Sequence, residues 1–487
     1  MKSRMYVVYD NSINPCYDVE NIIGNKSFGE VIFKRKTLND RYFEILNRYD
    51  FIKEILLIKS ENSIKGFVNH ANQIPTGAKI VHLYGDYIIK NIESFDIIME
   101  KSQYIKENIV LQTKDGIAGI IFKNTQEYIH FLKSYILHKE KNGIDEDISC
   151  QIMQTECFFY LNELNNFLQY ITGGFDARFF NSLSGDEYVV TKSSTNKKKI
   201  KSEYMFYHLI PDEMKKWFVL PYDYKETENS ASYTMERLHM TDIAIRWVHG
   251  SISTQEFRKL LKKIFYFVQS RKQKQVSTEE YKRISNTLYL QKVDERMSEL
   301  KKYDAFSCFA SYIKSSTNYD SIDEIVYEYK MLYDKIIGKI DQKNISVIGH
   351  GDLCFSNMLY NKETSTLKLI DTKGALEESQ IWTNPYYDIA KLSHSICGKY
   401  DFFNSGMYDI KLNSDLKFEL SIDFDNKAYI EIFKEYLEEA GYNYNMIRLL
   451  EASLFLSMLP LHMDFPQKVF GFLLNAIDIL EEVKNNV

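Results

Sequence analysis

The feature that most constrains this chain is a strand-rich island set inside a long helical text. From about residue 241 to the end, apolar residues recur at helical spacing, and one stretch, ISVIGHGDLCFSNMLYNKETSTLKLIDTKG, interrupts them with short β-branched and apolar runs. Such an island holds a loop and a hairpin that the surrounding helices must support, so chemistry is sought there. The upstream pattern differs. Over residues 1 to about 133, MYVVYD, EILLIKS, KIVHLYG and IAGIIF read as strands and LNDRYFEILNRY and TQEYIHFLKSYIL as helices, which predicts an α/β domain around a parallel or mixed sheet. The charged stretch HKEKNGIDED marks a boundary. Beyond it, residues 150–170 read as an amphipathic helix, and GGFDARFFNSLSGDEYVVTKSS as a hairpin turning at Ser184-Gly185-Asp186. The expected organisation is an α/β domain over 1–135, a linker helix with a strand-rich lobe over 136–240, and a helical lobe over 241–487.

Composition narrows the function classes. At 487 residues the chain is long enough for two or three cores, and 45% apolar residues with only 7 Pro exclude a disordered or linker-dominated chain. Sixty-one basic against 67 acidic residues, with signs mixed and a net charge of −6, do not make the footprint of a nucleic-acid binder, so a small-molecule partner is expected. No apolar run has signal-peptide or membrane-spanning length, which predicts a cytoplasmic protein without a membrane span. The six cysteines form no CxxC pair, arguing against zinc and against a disulfide framework.

Within the island stand His350-Gly351-Asp352, then four residues, then Asn357, then a hairpin formed by MLY and LKLI, then Asp371. Phosphoryl transfer needs such a set: a carboxylate to orient and deprotonate the attacking hydroxyl, and hard oxygen ligands to hold Mg²⁺ against the phosphates of ATP. An Asp and an Asn four residues apart, followed by an Asp beyond a short hairpin, is the spacing of the protein-kinase catalytic loop. Through HGDLCFSNMLY, LIDTKG and NPYYDIAKLSHSI, the chain resembles the aminoglycoside phosphotransferase and choline kinase family of small-molecule kinases. The resemblance implies a bilobal α+β domain of protein-kinase-like fold with a large helical C-lobe, and ATP and Mg²⁺ as cofactors. It implies Asp352 as catalytic base, His350 as the brace of its loop, and Asn357 and Asp371 as magnesium ligands.

Such a fold needs a strand lysine for the phosphates and a helix glutamate to pair with it. Lys192 ends YVVTK, and Glu203 lies on the apolar stripe of Ile200, Tyr204 and Tyr207 in KIKSEYMFYHLI. A carboxylate there needs a cation, either Lys192 or one of the helix neighbours Lys197, Lys198, Lys199 and Lys201; Lys192 is expected. Gly173-Gly174-Phe175 closes over phosphates or simply turns. In YTMERL, backbone groups near Glu236 are expected to meet adenine. Asn384-Pro385 reads as the cap of the helix YYDIAKLSHSI. Asp388 in its first turn is a loop brace, a dipole partner or a substrate contact. Lys373 touches a phosphate or an anionic substrate, or points to water. His462 and Asp464, in the break LPLHMDFP, fall where this fold places its acceptor pocket, or are solvated caps.

The first domain faintly resembles sugar-phosphate nucleotidyltransferases, in which a Gly-Asp after a strand supplies a metal ligand; Gly85-Asp86 matches, or is a strand-end turn. MYVVYDNSINPC lacks the glycine-rich loop whose N–H groups cradle phosphates, so a degenerate domain is expected. The expected function is an ATP-dependent kinase acting on a hydroxyl of a sugar or amino alcohol, with the domain pairing pointing to surface-polysaccharide (capsule) biosynthesis. The alternatives are a nucleotide-binding pseudokinase scaffold and an aminoglycoside-modifying kinase. The last calls for acidic clusters, and LEEAG and LEEVK read as solvated faces.

Overall fold

Strand β1 (Met5–Asp10) is buried along its whole length, because it lies between two parallel neighbours and under cover on both faces, the setting that turns an alternating pattern into a continuous apolar run. Those neighbours are β2 (Ile52–Ile58) and β3 (Lys79–Tyr84). With β4 (Asn108–Thr113), β5 (Gly116–Phe122) and β6 (Cys150–Gln154) they form a mixed sheet in the order β2-β1-β3-β5-β4-β6, in which β5 runs antiparallel to β3 and β4. Helix α1 (Thr125–His138) adds Tyr128, Phe131, Leu132 and Tyr135 to the core. The computed structural model describes residues 5–138, 149–171, 181–185, 188–337 and 344–487, and the chain divides into units 1–175 and 176–487.

Residues 150–170 are not the expected single helix. Cys150–Gln154 pairs parallel with β4, Phe158–Tyr160 pairs antiparallel with Tyr87–Ile89, and only Leu164–Ile171 is helical. Pairing with distant strands overrides local periodicity here. The first unit therefore extends to 175, past the expected boundary near 135. Most of HKEKNGIDED, the Gly173-Gly174-Phe175 segment and Asp186 lie outside the described residues.

The second unit begins with an antiparallel sheet, β7 (Asn181–Gly185), β8 (Val189–Ser194), β9 (Pro221–Glu226) and β10 (Ala231–Glu236), in the order β7-β8-β10-β9. Helix α2 (Lys197–Leu209) is capped by Asn196, whose side chain accepts from the Lys199 N–H, and it buries Ile200, Glu203 and Phe206. Ile200 packs with Ala231 and Tyr233 of β10. The remainder is mainly helical: α3 (Thr254–Ser270), α4 (Thr278–Asn286) continuing through a π-turn (Thr287–Gln291) into α5 (Lys292–Leu300), α6 (Ile322–Ile337), α7 (Tyr387–Ile396), α8 (Tyr444–Met458) and α9 (Pro466–Asn486). Helix α8 is buried from Met446 through Met458, and Arg448 and Glu451 are buried there as an ion pair among apolar neighbours. The island supplies β11 (Ile345–Ile348) and the hairpin β12 (Met358–Asn361) and β13 (Thr366–Leu369). Among the described residues, no helix is long and apolar enough to cross a membrane.

Candidate active site

The hairpin register sets the site. Met358 pairs with Leu369, and the ladder runs one step further, where the Ile370 N–H donates to the Asn357 carbonyl at 3.0 Å. Asn357 and Asp371 are therefore close neighbours at the open end of the hairpin. Asp371 sits at φ 56°, a left-handed conformation that costs a non-glycine residue roughly 1 kcal/mol and has to be held by its surroundings. The chain beyond it is tied down on both sides: the Lys373 N–H donates to the His350 carbonyl, and the Ala375 N–H to the Ser202 carbonyl, each at 3.0 Å. Gly374, at φ 81°, lies so close to α2 that a Cβ would come within 2.8 Å of the Glu203 backbone nitrogen.

That stitching brings Asp371 to Lys192. The Lys192 ammonium lies 2.7 Å from Asp371 Oδ1 and 2.8 Å from Glu203 Oε2, while the Tyr233 hydroxyl donates to Glu203 Oε2 at 3.1 Å. Lys192 and Glu203 are each 3% exposed, whereas Asp371 is 43% exposed. Burial alone would lower the Lys192 pKa, but the Asp371 and Glu203 carboxylates raise it above the ordinary lysine value, so the ammonium stays charged. Burial raises Glu203, and Lys192 opposes the rise without cancelling it. Of the cations the sequence offered Glu203, Lys192 is the close partner; Lys199 stands 3.8 Å away.

Asp352 is held by two groups. Its Oδ1 lies 2.9 Å from the Lys391 ammonium, and Oδ2 accepts from Asn357 Nδ2 at 3.0 Å; the same amide also donates to the Asp352 carbonyl at 2.9 Å. Burial pushes the carboxyl up, yet Lys391 more than offsets this and leaves it below the usual carboxylate range. Its side chain remains 41% exposed. Sequence reasoning passed over Lys391. The signal was there: Lys391 is three residues after Asp388 on α7, hence on the same helical face.

Asp388 is fully buried, and its carboxylate is turned to the backbone of the loop. Its Oδ2 accepts from the His350 N–H and from Arg271, both at 2.9 Å, and Oδ1 accepts from the Gly351 N–H at 2.8 Å. Burial favours this brace role, because the carboxylate is matched by a guanidinium that itself also donates to the Val268 and Pro385 carbonyls. His350 is likewise buried, and both of its ring nitrogens are engaged by backbone groups. Its Nδ1 accepts from the Asp352 N–H at 3.2 Å, which places the proton on Nε2, the donor to the Ile370 carbonyl at 2.9 Å. Burial lowers its pKa and keeps it neutral. One imidazole thus ties the backbone of Asp352 to the residue before Asp371. Gly351, at φ 81°, must be glycine, since a Cβ would meet the Lys373 side chain at 2.5 Å.

No family model matches the sequence and no curated protein matches it. Solved structures of aminoglycoside phosphotransferases are similar to part of the chain. A thermostable mutant of aminoglycoside phosphotransferase APH(4)-Ia in its apo form is 10% identical over 62% of this chain and 94% of its own, with a TM-score of 0.33. The same enzyme in a ternary complex with ADP and hygromycin B is 10% identical over 65% and 97%, with a TM-score of 0.35. An aminoglycoside-3'-phosphotransferase of type VIII is 10% identical over 61% and 96%, with a TM-score of 0.29.

The remaining expected residues are placed differently. Glu236 ends β10 opposite Val189 with its side chain exposed, and the next N–H, of Arg237, donates to the Tyr188 carbonyl. His462 packs edge-on against Phe472, and Asp464 is exposed in the break before α9. In the first unit Asp86 is 1% exposed, sealed rather than open to a ligand. Among the described residues, no three or more His, Cys, Asp and Glu side chains gather so as to hold a metal ion.

Proposed function

We propose that the second unit is a small-molecule kinase that moves the γ-phosphoryl of ATP, with Mg²⁺, onto a hydroxyl of a sugar or amino alcohol. The observation that carries this reading is the Lys192 ammonium bridging Glu203 and Asp371, next to a half-exposed Asp352 oriented by Asn357 and Lys391. The donor set suits magnesium. Asn357 directs its Nδ2 at Asp352, leaving the amide oxygen, and Asp371 keeps Oδ2 while Oδ1 pairs with Lys192. One amide oxygen and one carboxylate are the sparse, hard protein share that Mg²⁺ takes when phosphates and water complete its shell. Asn357 and Asp371 would hold the ion, which supplies charge neutralisation at the phosphates when bound.

The chain's own residues divide the remaining work. Lys192 stays charged to meet the phosphates, and Glu203 keeps it in place. Asp352, ionised at neutral pH, accepts the proton of the acceptor hydroxyl as that oxygen attacks. Lys391 and Asn357 fix the orientation of the carboxylate; His350 and Asp388 fix the backbone that carries it. Backbone groups near Glu236 are assigned to adenine, and His462 and Asp464 to the far side of the acceptor pocket. The surface-polysaccharide setting rests on the first domain's faint nucleotidyltransferase resemblance alone, and the cytoplasmic location on the absence of long apolar runs.

The test is ADP release from Mg-ATP across a panel of sugars and amino alcohols, paired with a Mg-ATP thermal shift. Acceptor-stimulated ADP release is expected. A chain that binds Mg-ATP but releases no ADP with any acceptor is a scaffold, and one that does neither is not a kinase.

A further inference from the structure

A cavity of about 230 Å³ opens against the catalytic loop. Gly349 to Gly351 and Lys373 form one wall, and α4 with the π-turn after it forms another. Its cations are Lys274, Arg283 and Lys373, and Glu280 is the one carboxylate among its described lining residues. Among the described residues, none of the three cations has an ion-pair partner, and Lys274 instead lies over the Trp382 ring, 4.6 Å from its centroid.

Further cations stand around Tyr387. Leu288 lines the cavity, and Lys292, four residues on, donates to the Tyr387 hydroxyl at 3.1 Å. Tyr387 is buried at the start of α7. Burial raises its pKa, but the charges of Lys391, Lys292 and Lys373 outweigh burial and bring the phenol below its ordinary value. Lysines from three separate elements thus act on one hydroxyl, Lys292 by direct contact and Lys391 and Lys373 by their charge. One of them is the partner of Asp352, and another lines the cavity. Lys274, Arg283 and Lys373, and Lys292 four residues beyond the lining Leu288, have no acid partner among the described residues and are open to an anion.

We propose that this cavity receives the anionic end of the acceptor, which is an alcohol already bearing a phosphate group, such as a sugar or polyol phosphate. The inference rests on the phosphotransferase reading and narrows its acceptor. Polycationic drugs and quaternary amines need carboxylates or an aromatic cage, and the cations here repel them. In the reaction the free hydroxyl oxygen forms the new bond to phosphorus, the bond from phosphorus to the ADP oxygen breaks, and the hydroxyl proton passes to Asp352. The resident phosphate is untouched, so the product carries two phosphoryl groups.

The experiment measures ADP release at fixed Mg-ATP with four acceptor classes: sugar phosphates, carboxylated sugars, unmodified sugars and amino alcohols. Sugar phosphates should give a kcat/KM at least about tenfold above the others. A preference for any other class overturns this inference and leaves the kinase reading in place. Absence of both ADP release and a Mg-ATP thermal shift sinks the kinase reading, and this one with it. Lys292→Ala should raise KM for the sugar phosphate about tenfold with kcat within about threefold, and Lys292→Arg should restore it. The exposed Arg283→Ala should give the same split. Loss of kcat with KM unchanged in both variants would mean that these cations do not bind the acceptor.

Discussion

Two carboxylate clusters, one in each unit, use similar chemistry to opposite ends. In the first unit Asp10 closes β1: its Oδ1 accepts from the Ser12 N–H at 2.8 Å, and its Oδ2 accepts from the Tyr135 hydroxyl at 3.0 Å and lies 3.2 Å from His82 Nε2. In the second, Asp352 is held by Lys391 and Asn357. Burial pushes both carboxyls up and partners bring both back below the usual range. The difference is access. Asp10 and His82 are sealed among Tyr84, Tyr128, Phe131 and Tyr135, whereas Asp352 and Asp371 each keep about two fifths of their side-chain surface open. A paired charge with no route to solvent serves the fold, and a paired charge with an open face can meet a substrate.

The sharpest way to break that contrast is Asp352→Asn. Removing the proton acceptor while keeping the shape should lower ADP release by ~10²–10⁴-fold and leave the Mg-ATP thermal shift in place. Undiminished turnover would strip Asp352 of its role and erase the difference between the clusters. Asp371→Ala should instead abolish the Mg-ATP shift, because it removes both a metal oxygen and the Lys192 counter-charge.

Next in size is Asp10→Asn. Breaking a buried, partnered charge costs about 3 kcal/mol, which should appear in chemical denaturation as a lower midpoint. ADP release per folded molecule should not change. If turnover fell as far as in Asp352→Asn while the midpoint held, the first-unit cluster would be catalytic and the contrast false.

What the sequence disclosed follows how local each contact is. Asn357 and Asp371 were legible as neighbours because they flank one hairpin, and Glu203 as a paired group because a carboxylate on an apolar stripe demands a cation. Lys391 carried only a weak local signal, its place three residues after Asp388 on α7, because its partner Asp352 comes from the island. Arg271 reaches Asp388 across 117 positions of chain, which no local pattern encodes. Asn384 was read as a helix cap. The helix starts only at Tyr387, and the Asn384 side chain accepts from the Tyr386 N–H and the Tyr289 hydroxyl while donating to Ser285, so packing against the π-turn helix claimed it. The cations of the cavity were equally hidden, because Lys274, Arg283 and Lys373 come from separate stretches that only the fold brings to one cavity.

The smallest expected effect concerns a third kind of carboxylate, buried near the site with no cationic partner among the described residues. Burial pushes Asp401 up to about 7. Its neighbour Asp242, which caps the helix Ile243–Val248, is also raised to about 7, by burial first and by the Asp401 charge in addition. An unfolded Asp titrates near ~3.9. Between that value and 7 the folded chain holds a proton that the unfolded chain has released, so stability falls as pH rises across this window and levels off above it. His350 and His394, whose pKa values burial lowers, slope the opposite way below their unfolded value of ~6.5. The measurement is therefore a difference: the Tm of the wild type minus that of Asp401→Asn, followed from pH 5 to pH 8. That difference should fall by a few degrees and then flatten. A flat difference throughout would mean that Asp401 is already charged at pH 5 and that its burial is matched by a partner, as in the Asp10 cluster.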